Sequence, residues 1–477
     1  MLKKYLIIDI GTSSLRVAVE NENLEIEKIE IFKRIAEPVF DPEDEWKTIR
    51  SMLKKLISKD EKYEAIIASA LVGWVGVDEE GNAVTLCYSY AHQCTDEYEE
   101  FLRKNTNEQV FPVNGRRVSA ELGVFKIQYL RKKYPEIYKQ IYKFISLKDF
   151  INGKLCGKLA IDHTSACYTM LYDIRKAQWS EALIARAGVD KKLLPELIRP
   201  YEIVGFVTEK ACQEIGLQET IPVVAGSVDG STGILGGGGT SAGKAVSVMG
   251  TTDVFFIVTQ TPVEDKSQSL VINPHVVPEL WLVGGPMGMF GGTLEWYTDH
   301  VLEKSKSLEE LNKEAEQVVP GSEGVHVFPS LSGERTPFWN PHMSGIIWGI
   351  KPFHKSKHIY RAMLEANGYA VRKIMELGTA SGVACDYVIA LGGGSKSDIW
   401  LKIKADIIGK SMKRTSIEEA TMAGACKLAM LATGIPVETF PDIPIEKEFI
   451  PDANVNQIYG QLYRAYIQLH EQVKNII

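Results

Sequence analysis

The sequence predicts an α/β protein made of two similar domains, on three observations. At 477 residues the chain is too long for one ordinary core. Strand-like runs alternate with helical periodicity along its length. Two predicted β-hairpins, half a chain apart, echo one another. IIDIGTSSLRVAV (Ile7 to Val19) and VSVMGTTDVFFIV (Val246 to Val258) are each a β-run, a Gly-Thr-hydroxyl turn and a second β-run. The glycine run ending near Gly239 and the turn at Gly243 place the division at 243/244, giving domains 1–243 and 244–477.

The elements follow in order. Residues Met1 to about Glu30 alternate as strands, and Pro42 to Lys59 carries helical periodicity. Ile66 to Val84 is strand-like around an Asp-Glu-Glu-Gly turn, and Val118 to Lys139 reads as helix. From Pro222, PVVAGSVDGSTGILGGGG reads as strand, turn and short glycine-rich helix, and the second hairpin follows. LSGERTPFWNP is loop, broken by Pro337 and Pro341. His358 to Gly378 is a helix, and Val388 to Gly409 a strand, glycine turn and amphipathic helix.

Composition excludes several classes of function. Hydrophobic content of 45%, charged content of 24% and a net charge of −7 describe an ordinary globular chain. They provide no global attraction to nucleic acid or an anionic membrane. No apolar stretch is long enough to span a bilayer. The opening MLKKYLIIDIG breaks at Asp9, too early for a signal peptide. Seven scattered cysteines without a CxxC pair read as reduced thiols, so a cytoplasmic protein is expected.

Chemistry concentrates at the turns. In the first hairpin an acid, Asp9, ends the strand and Gly11, Thr12 and Ser13 follow. Glycine permits close backbone approach, and successive amides with hydroxyls make an anion cradle. A carboxylate beside a bound phosphate needs a cation between them, so the pattern points to Mg²⁺ at Asp9. A plain hairpin with a solvated Asp is the alternative. The second turn, Gly250, Thr251 and Thr252, lacks a matching acid, as expected if two phosphate clamps share one metal. GGGGTSAGKA fits GxxxxGK but not a phosphate-binding P-loop. Ala245 replaces the Ser or Thr that binds Mg²⁺, and a β-run follows rather than a helix. Asp229, among small residues after an apolar strand, is either a general base for a hydroxyl or a helix N-cap. The glycines of GGGSKSDIW (Gly392 to Trp400) admit a flat ring against the backbone, or merely a tight strand-to-helix turn.

In this order the pieces resemble the FGGY carbohydrate kinases, of the sugar kinase/actin/heat-shock-70 superfamily. DIGTSSLR resembles the first phosphate motif, AGSVDGSTGILGGG the catalytic-aspartate segment and VMGTTDVF the second phosphate motif. VGGPMGMFGGTLEWY, SGERTPFWNPHMSGIIWGI and LGGGSKSDIWLKIKADIIGKSM complete the series, which covers nearly the whole chain. The resemblance implies two ribonuclease-H-like domains around a deep cleft, ATP and Mg²⁺ as cofactors, and transfer of the γ-phosphoryl group to a sugar hydroxyl. It implies Asp229 as catalytic base, Asp9 with Asp229 on the metal side, and Gly11, Thr12, Ser13 and Arg16 at the first phosphate site. It also implies Gly250, Thr251 and Thr252 at the second phosphate site and Gly393 and Gly394 at the adenosine.

The sugar-reading strings depart from the family. Ala70, Leu71, Val72 and Gly73 stand where xylulose-type members carry Gln-Met-His-Gly. YSYAHQC (Tyr88 to Cys94) replaces the usual Trp-x-Asp-x-Arg, which leaves Trp74, Tyr90 and His92 as candidate sugar contacts, or as core aromatics and a surface histidine. A xylulose-like ketopentose or a gluconate-like sugar acid is the expected substrate. The alternatives are an unusual polyol or ketose, a non-catalytic family member, or an actin- or chaperone-like ATPase. Expected partners are the small carbohydrate and, at most, a second copy of the chain as a homodimer.

Overall fold

The computed structural model describes residues 2–474, which form two compact units. The first takes the chain up to Gly236, together with Asn273–Leu280 and Glu419–Asp442; the second takes Gly237–Ile272, Trp281–Glu418 and the chain from Ile443 onward.

The first unit is built on a six-stranded sheet of β1 (Lys4–Ile10), β2 (Ser14–Asn21), β3 (Ile26–Lys33), β4 (Ala65–Ala70), β6 (Ile203–Phe206) and β7 (Pro222–Val228), in the order β6-β7-β4-β1-β2-β3. The strand β5 (Gly73–Val77) belongs to a smaller sheet with Cys87–Ser89 and Lys143–Ser146. The run Ile66 to Val84 is therefore two strands of two different sheets. β1 is buried from Tyr5 to Ile10 on both faces, so it reads as a continuous apolar run rather than an alternating one.

Helix α1 (Pro42–Leu56) starts where Asp41 accepts the Glu43 amide at 2.8 Å and Pro42 occupies the first turn. Acids fill its first turn and Lys54 and Lys55 its last, matching the helix dipole. Its Trp46, Ile49, Leu53 and Leu56 join Leu6, Ile8 and Val17 in one core. The predicted helix over Val118 to Lys139 is shorter. α2 (Gly123–Lys133) stops at Tyr134, because Pro135 cannot continue it. α3 (Leu147–Cys156) lies in the same core, and α4 (Asp229–Gly236) leaves β7 directly, with no intervening turn.

The second unit repeats the plan. Its sheet holds β8 (Lys244–Met249), β9 (Asp253–Thr259), β10 (Trp281–Gly288), β11 (Tyr387–Leu391) and β12 (Met412–Thr415) in the order β10-β9-β8-β11-β12, with one more strand at each edge. Helices α5 (Phe290–Trp296), α6 (Ser356–Ala380) and α7 (Asp398–Ile408) accompany it. In both units three antiparallel strands are followed by two parallel ones, in the order 3-2-1-4-5. The echo between the two hairpins is thus matched by whole-sheet topology.

A single cut at 243/244 treats each domain as continuous chain, whereas the fold sends two later segments back to the first unit. The longer carries α8 (Ala420–Ala432), whose Met422, Ala425, Cys426 and Ala429 pack against Tyr5, Ile7, Ile67 and Val224 on the sheet face opposite α1. No helix among the described residues is long and apolar enough to cross a membrane.

Candidate active site

Two carboxylates sit at the ends of parallel strands in the first unit. Register aligns Asp9 of β1 with Ser69 of β4, and Ser69 with Ser227 of β7. Asp229, two residues on, opens α4 just beyond the end of β7. The carboxyl ends of parallel strands are where α/β sheets bind ligands. β7 reaches this point through a bulge, with a register shift between Val224 and Ser227. Gly226 in it has φ +69°, and a Cβ there would stand 1.9 Å from the Ala68 carbonyl oxygen. Only glycine fits, and the bulge re-aims the strand end.

Burial sets the electrostatics. It pushes the Asp9 carboxyl up to about 7, with the neighbouring Asp229 adding to the rise and Arg16 opposing it. Arg16 Nη1 donates to Asp9 Oδ2 at 3.1 Å, while its Nε faces Glu419 at 3.4 Å. Asp9 Oδ1 is buried and has no partner. Asp229 is likewise raised by desolvation, opposed by the Gly230 amide donating to its Oδ1 at 2.7 Å. An orphaned carboxylate oxygen and a second, half-buried carboxyl fit a divalent cation held through few protein ligands. Among the described residues no cluster of three or more His, Cys, Asp and Glu forms an all-protein cage.

The first turn is partly spent on itself. The Gly11 amide bonds the Ser14 carbonyl at 2.9 Å, so it closes the hairpin instead of facing outward, contrary to a cradle using every amide. Thr12 and Ser13 are exposed beyond it, and Thr12 Oγ1 lies 3.3 Å from the Tyr90 hydroxyl.

The base of α4 is held by backbone contact with α8. A Cβ on Gly236 would fall 1.7 Å from the Ala420 oxygen, and one on Gly424 would fall 1.8 Å from the Thr232 oxygen. Neither neighbour is a flexible side chain. Gly424→Ala is expected to destabilise the protein by at least the ~1–3 kcal/mol of ordinary overpacking and to lower turnover as well, because α4 begins with Asp229. Thermal melts and kcat measured on one preparation check both effects.

In the second unit the turn Gly250–Thr252 borders a cavity of about 610 Å³, lined by Met249, Gly250, Thr251, Gly291, Gly393 and Gly394 among others. A Cβ on Gly291 would lie 2.2 Å from the Gly250 oxygen, so α5 rests directly on the turn. Gly393 has open space where a side chain would be, as a flat ligand requires. Lys244 begins a strand, as expected for a segment that is not a P-loop. Asn312 lines the same cavity. Its Oδ1 accepts from Tyr360 at 2.9 Å and Ser397 at 3.1 Å, which fixes the amide. Sequence reasoning missed it, because LEELNKEA reads as a solvated helix face.

Of the three aromatic candidates for a sugar contact, only Tyr90 is placed beside the first turn. Trp74 is wholly buried, stacked on Phe144 at 5.7 Å with Gly123 pressed against its ring. It is a core residue. The alternating exposure that would have turned it outward is lost because β5 is buried throughout. Trp74→Ala is expected to cost about 3–5 kcal/mol by leaving a cavity, without a selective change in sugar KM. Chemical denaturation, set beside KM for both substrates, tests this. His92 packs between Tyr88 and Tyr129 at 5.1 and 5.0 Å, and its carbonyl accepts from the buried Lys126 at 2.5 Å. These contacts hold its ring among aromatic neighbours, and the residue stays half-buried.

Comparisons with known proteins identify the family. Residues 4–236 match the N-terminal domain model of the FGGY family of carbohydrate kinases, and residues 245–433 the C-terminal one. The xylulose kinase of Escherichia coli (strain K12) is 27% identical, covering 98% of this chain and 99% of that protein. That of Lactococcus lactis is 30% identical over 359 residues, 74% of this chain and 71% of the relative. The crystal structure of gluconate kinase from Lactobacillus acidophilus superposes with a TM-score of 0.92 at 20% identity, covering 99% of each chain. The chain belongs to the FGGY family of carbohydrate kinases, which are ATP-dependent phosphotransferases.

Proposed function

We propose that Asp229 is the general base of this kinase, and that its substrate is a ketopentose or a sugar acid. The carrying observation is the pair of carboxyls, the buried Asp9 and the half-buried Asp229, at the ends of β1 and β7 on either side of β4, beside the exposed Thr12 and Ser13. Asp229 accepts the proton of a sugar hydroxyl as that oxygen bonds to the γ-phosphorus and the bond to the β–γ bridging oxygen breaks. Its raised pKa makes it the stronger acceptor once ionised. Asp9, aided by Asp229, is the side chain that would hold Mg²⁺, which supplies neutralisation of phosphate charge when bound. Thr12, Ser13 and Arg16 serve one phosphate site, and Gly250, Thr251 and Thr252 the other. Gly393 and Gly394 face the adenosine, which the cavity beside them supports.

Xylulose and gluconate kinases among the relatives support the substrate class. A second reading, an unusual polyol or ketose, is favoured by Val72 and Tyr90 at the positions where the family's polar sugar contacts are replaced. Such a site rejects sugars whose hydroxyls it cannot pair. A coupled ADP-release assay with Mg-ATP across ketoses, polyols and sugar acids tests the proposal. One class is expected to stimulate ADP release. ATP binding without stimulation by any of them would favour a non-catalytic family member. We also propose a cytoplasmic setting, which seven free and buried cysteines support, and a homodimer, which sedimentation tests.

A further inference from the structure

The first unit encloses a charged cluster that the proposed chemistry does not use. Lys148 and Asp149 of α3 are each 1% exposed, and Asp162, which caps the short helix His163–Cys167, is fully buried. Lys148 pairs with Asp149 and, at 2.9 Å, with Asp162 Oδ2. The other Asp162 oxygen accepts the amides of Thr164 (2.9 Å) and Ser165 (3.2 Å) and the Thr164 hydroxyl.

Because Thr164 Oγ1 donates to Asp162, its remaining role is acceptor. The buried Ser227 hydroxyl, 2.5 Å away, therefore donates to it. The chain of donors runs one way, from Ser227 through Thr164 to Asp162, with Lys148 as counter-charge. It ends on β7, two residues before Asp229.

The bulge interrupts the pairing of β7 between Val224 and Ser227, and the ladder resumes with Ser227 beside Ser69 and Val228 beside Ala70. Side chains reinforce it there. Asn152 of α3 donates to the Ala225 carbonyl at 2.9 Å. Ser69 Oγ lies 3.2 Å from the Ser227 carbonyl and 2.7 Å from Thr232 Oγ1, and Thr232 donates to the Asp229 carbonyl at 3.0 Å. The Asp229 carbonyl is held by Thr232, and the strand leading to it by Asn152 and Ser69. A general base must be held to within a fraction of an ångström of its target, and a buried hydroxyl network anchored on charge is stiffer than isolated bonds.

We infer that the buried Lys148–Asp162–Thr164–Ser227 chain positions Asp229 for proton transfer, with Thr164 as its connecting residue. The inference rests on the reading of Asp229 as base, and the test separates the two. Thr164→Val removes the connecting hydroxyl at constant shape, while Thr164→Ser keeps the hydroxyl and removes a methyl. Hydrogen exchange of the full-length protein, followed by mass spectrometry over Gly226–Thr232, needs no substrate. Thr164→Val is expected to speed exchange there by about tenfold, and Thr164→Ser to leave it near wild type.

With the best sugar from the panel, Thr164→Val is expected to lower kcat by about tenfold at unchanged KM for ATP. It should lower kcat no further in an Asp229→Asn background. Thr164→Ser is expected to rescue kcat. Wild-type exchange and kcat in Thr164→Val, or equal impairment in both variants, overturns the inference and leaves a packing role only. Full turnover in Asp229→Asn overturns the base reading instead, and the exchange result still judges the positioning. Should Thr164→Val not fold, Ser227→Ala breaks the same link from its other end, with the same expected outcomes.

Discussion

Asp229→Asn is expected to lower kcat by about 10² to 10⁴ and leave the KM for ATP nearly unchanged, the range for loss of a positioned base. The substitution is suited to the question. Asparagine has the shape of aspartate, and its Oδ1 can still accept the Gly230 amide that now bonds Asp229 at 2.7 Å. The start of α4 should therefore survive. What is lost is the second oxygen's ability to take a proton. ATP affinity should largely persist, because the 610 Å³ cavity is lined by residues from Met249 to Trp400 and not by Asp229, and Asp9 remains on the metal side. A fall in kcat with thermal stability intact supports the base. Unchanged turnover removes Asp229 from that role, and a large rise in the KM for ATP would assign it to nucleotide binding. The Gly424→Ala variant behaves differently, since stability and turnover are expected to fall together there.

The parts of this site legible in sequence are those made by local chemistry. Asp9 with Gly-Thr-Ser and Asp229 after an apolar run announce themselves because a strand end followed by small residues has few other uses. Their companions are long-range. Lys148-Asp149 reads as a solvated pair at the start of a helix, and nothing nearby tells that Asp162 and Ser227 close over it. Trp74 reads as exposed or buried depending on which sheet its strand joins, and that choice is made by partners at Cys87–Ser89 and Lys143–Ser146. The returning helix α8 did leave a trace. ATMAGACKLAMLA is small and apolar on nearly every face, which suits a helix packed between layers. Chain continuity argued for the second domain, and the C-terminal family model likewise runs to residue 433.

The second unit carries the other large expected effect. Lys404→Met is expected to destabilise the protein by about 3–5 kcal/mol, the cost of leaving a buried carboxylate without its counter-charge. Lys404 and Asp253 are both fully buried, 3.1 Å apart. Lys404 also reaches Ser247 at 3.1 Å, and Asn367 donates to Asp253 at 2.6 Å. Four elements meet here, β8, β9, α6 and α7, directly behind the turn Gly250–Thr252. Burial pushes Asp253 up and Lys404 down, in each case against the attraction of the partner. The pair is therefore costly to enclose, and a neutral replacement of both members should be tolerated better than loss of one. Lys404→Met with Asp253→Asn is expected to recover much of the stability, since asparagine still accepts from Asn367. Denaturant titrations of the two single variants and the double variant give the coupling directly. A weakened ATP affinity in Lys404→Met, restored in the double variant, would show that the buried pair holds the second phosphate turn in place. Full additivity of the two substitutions would show that the pair contributes nothing as a pair.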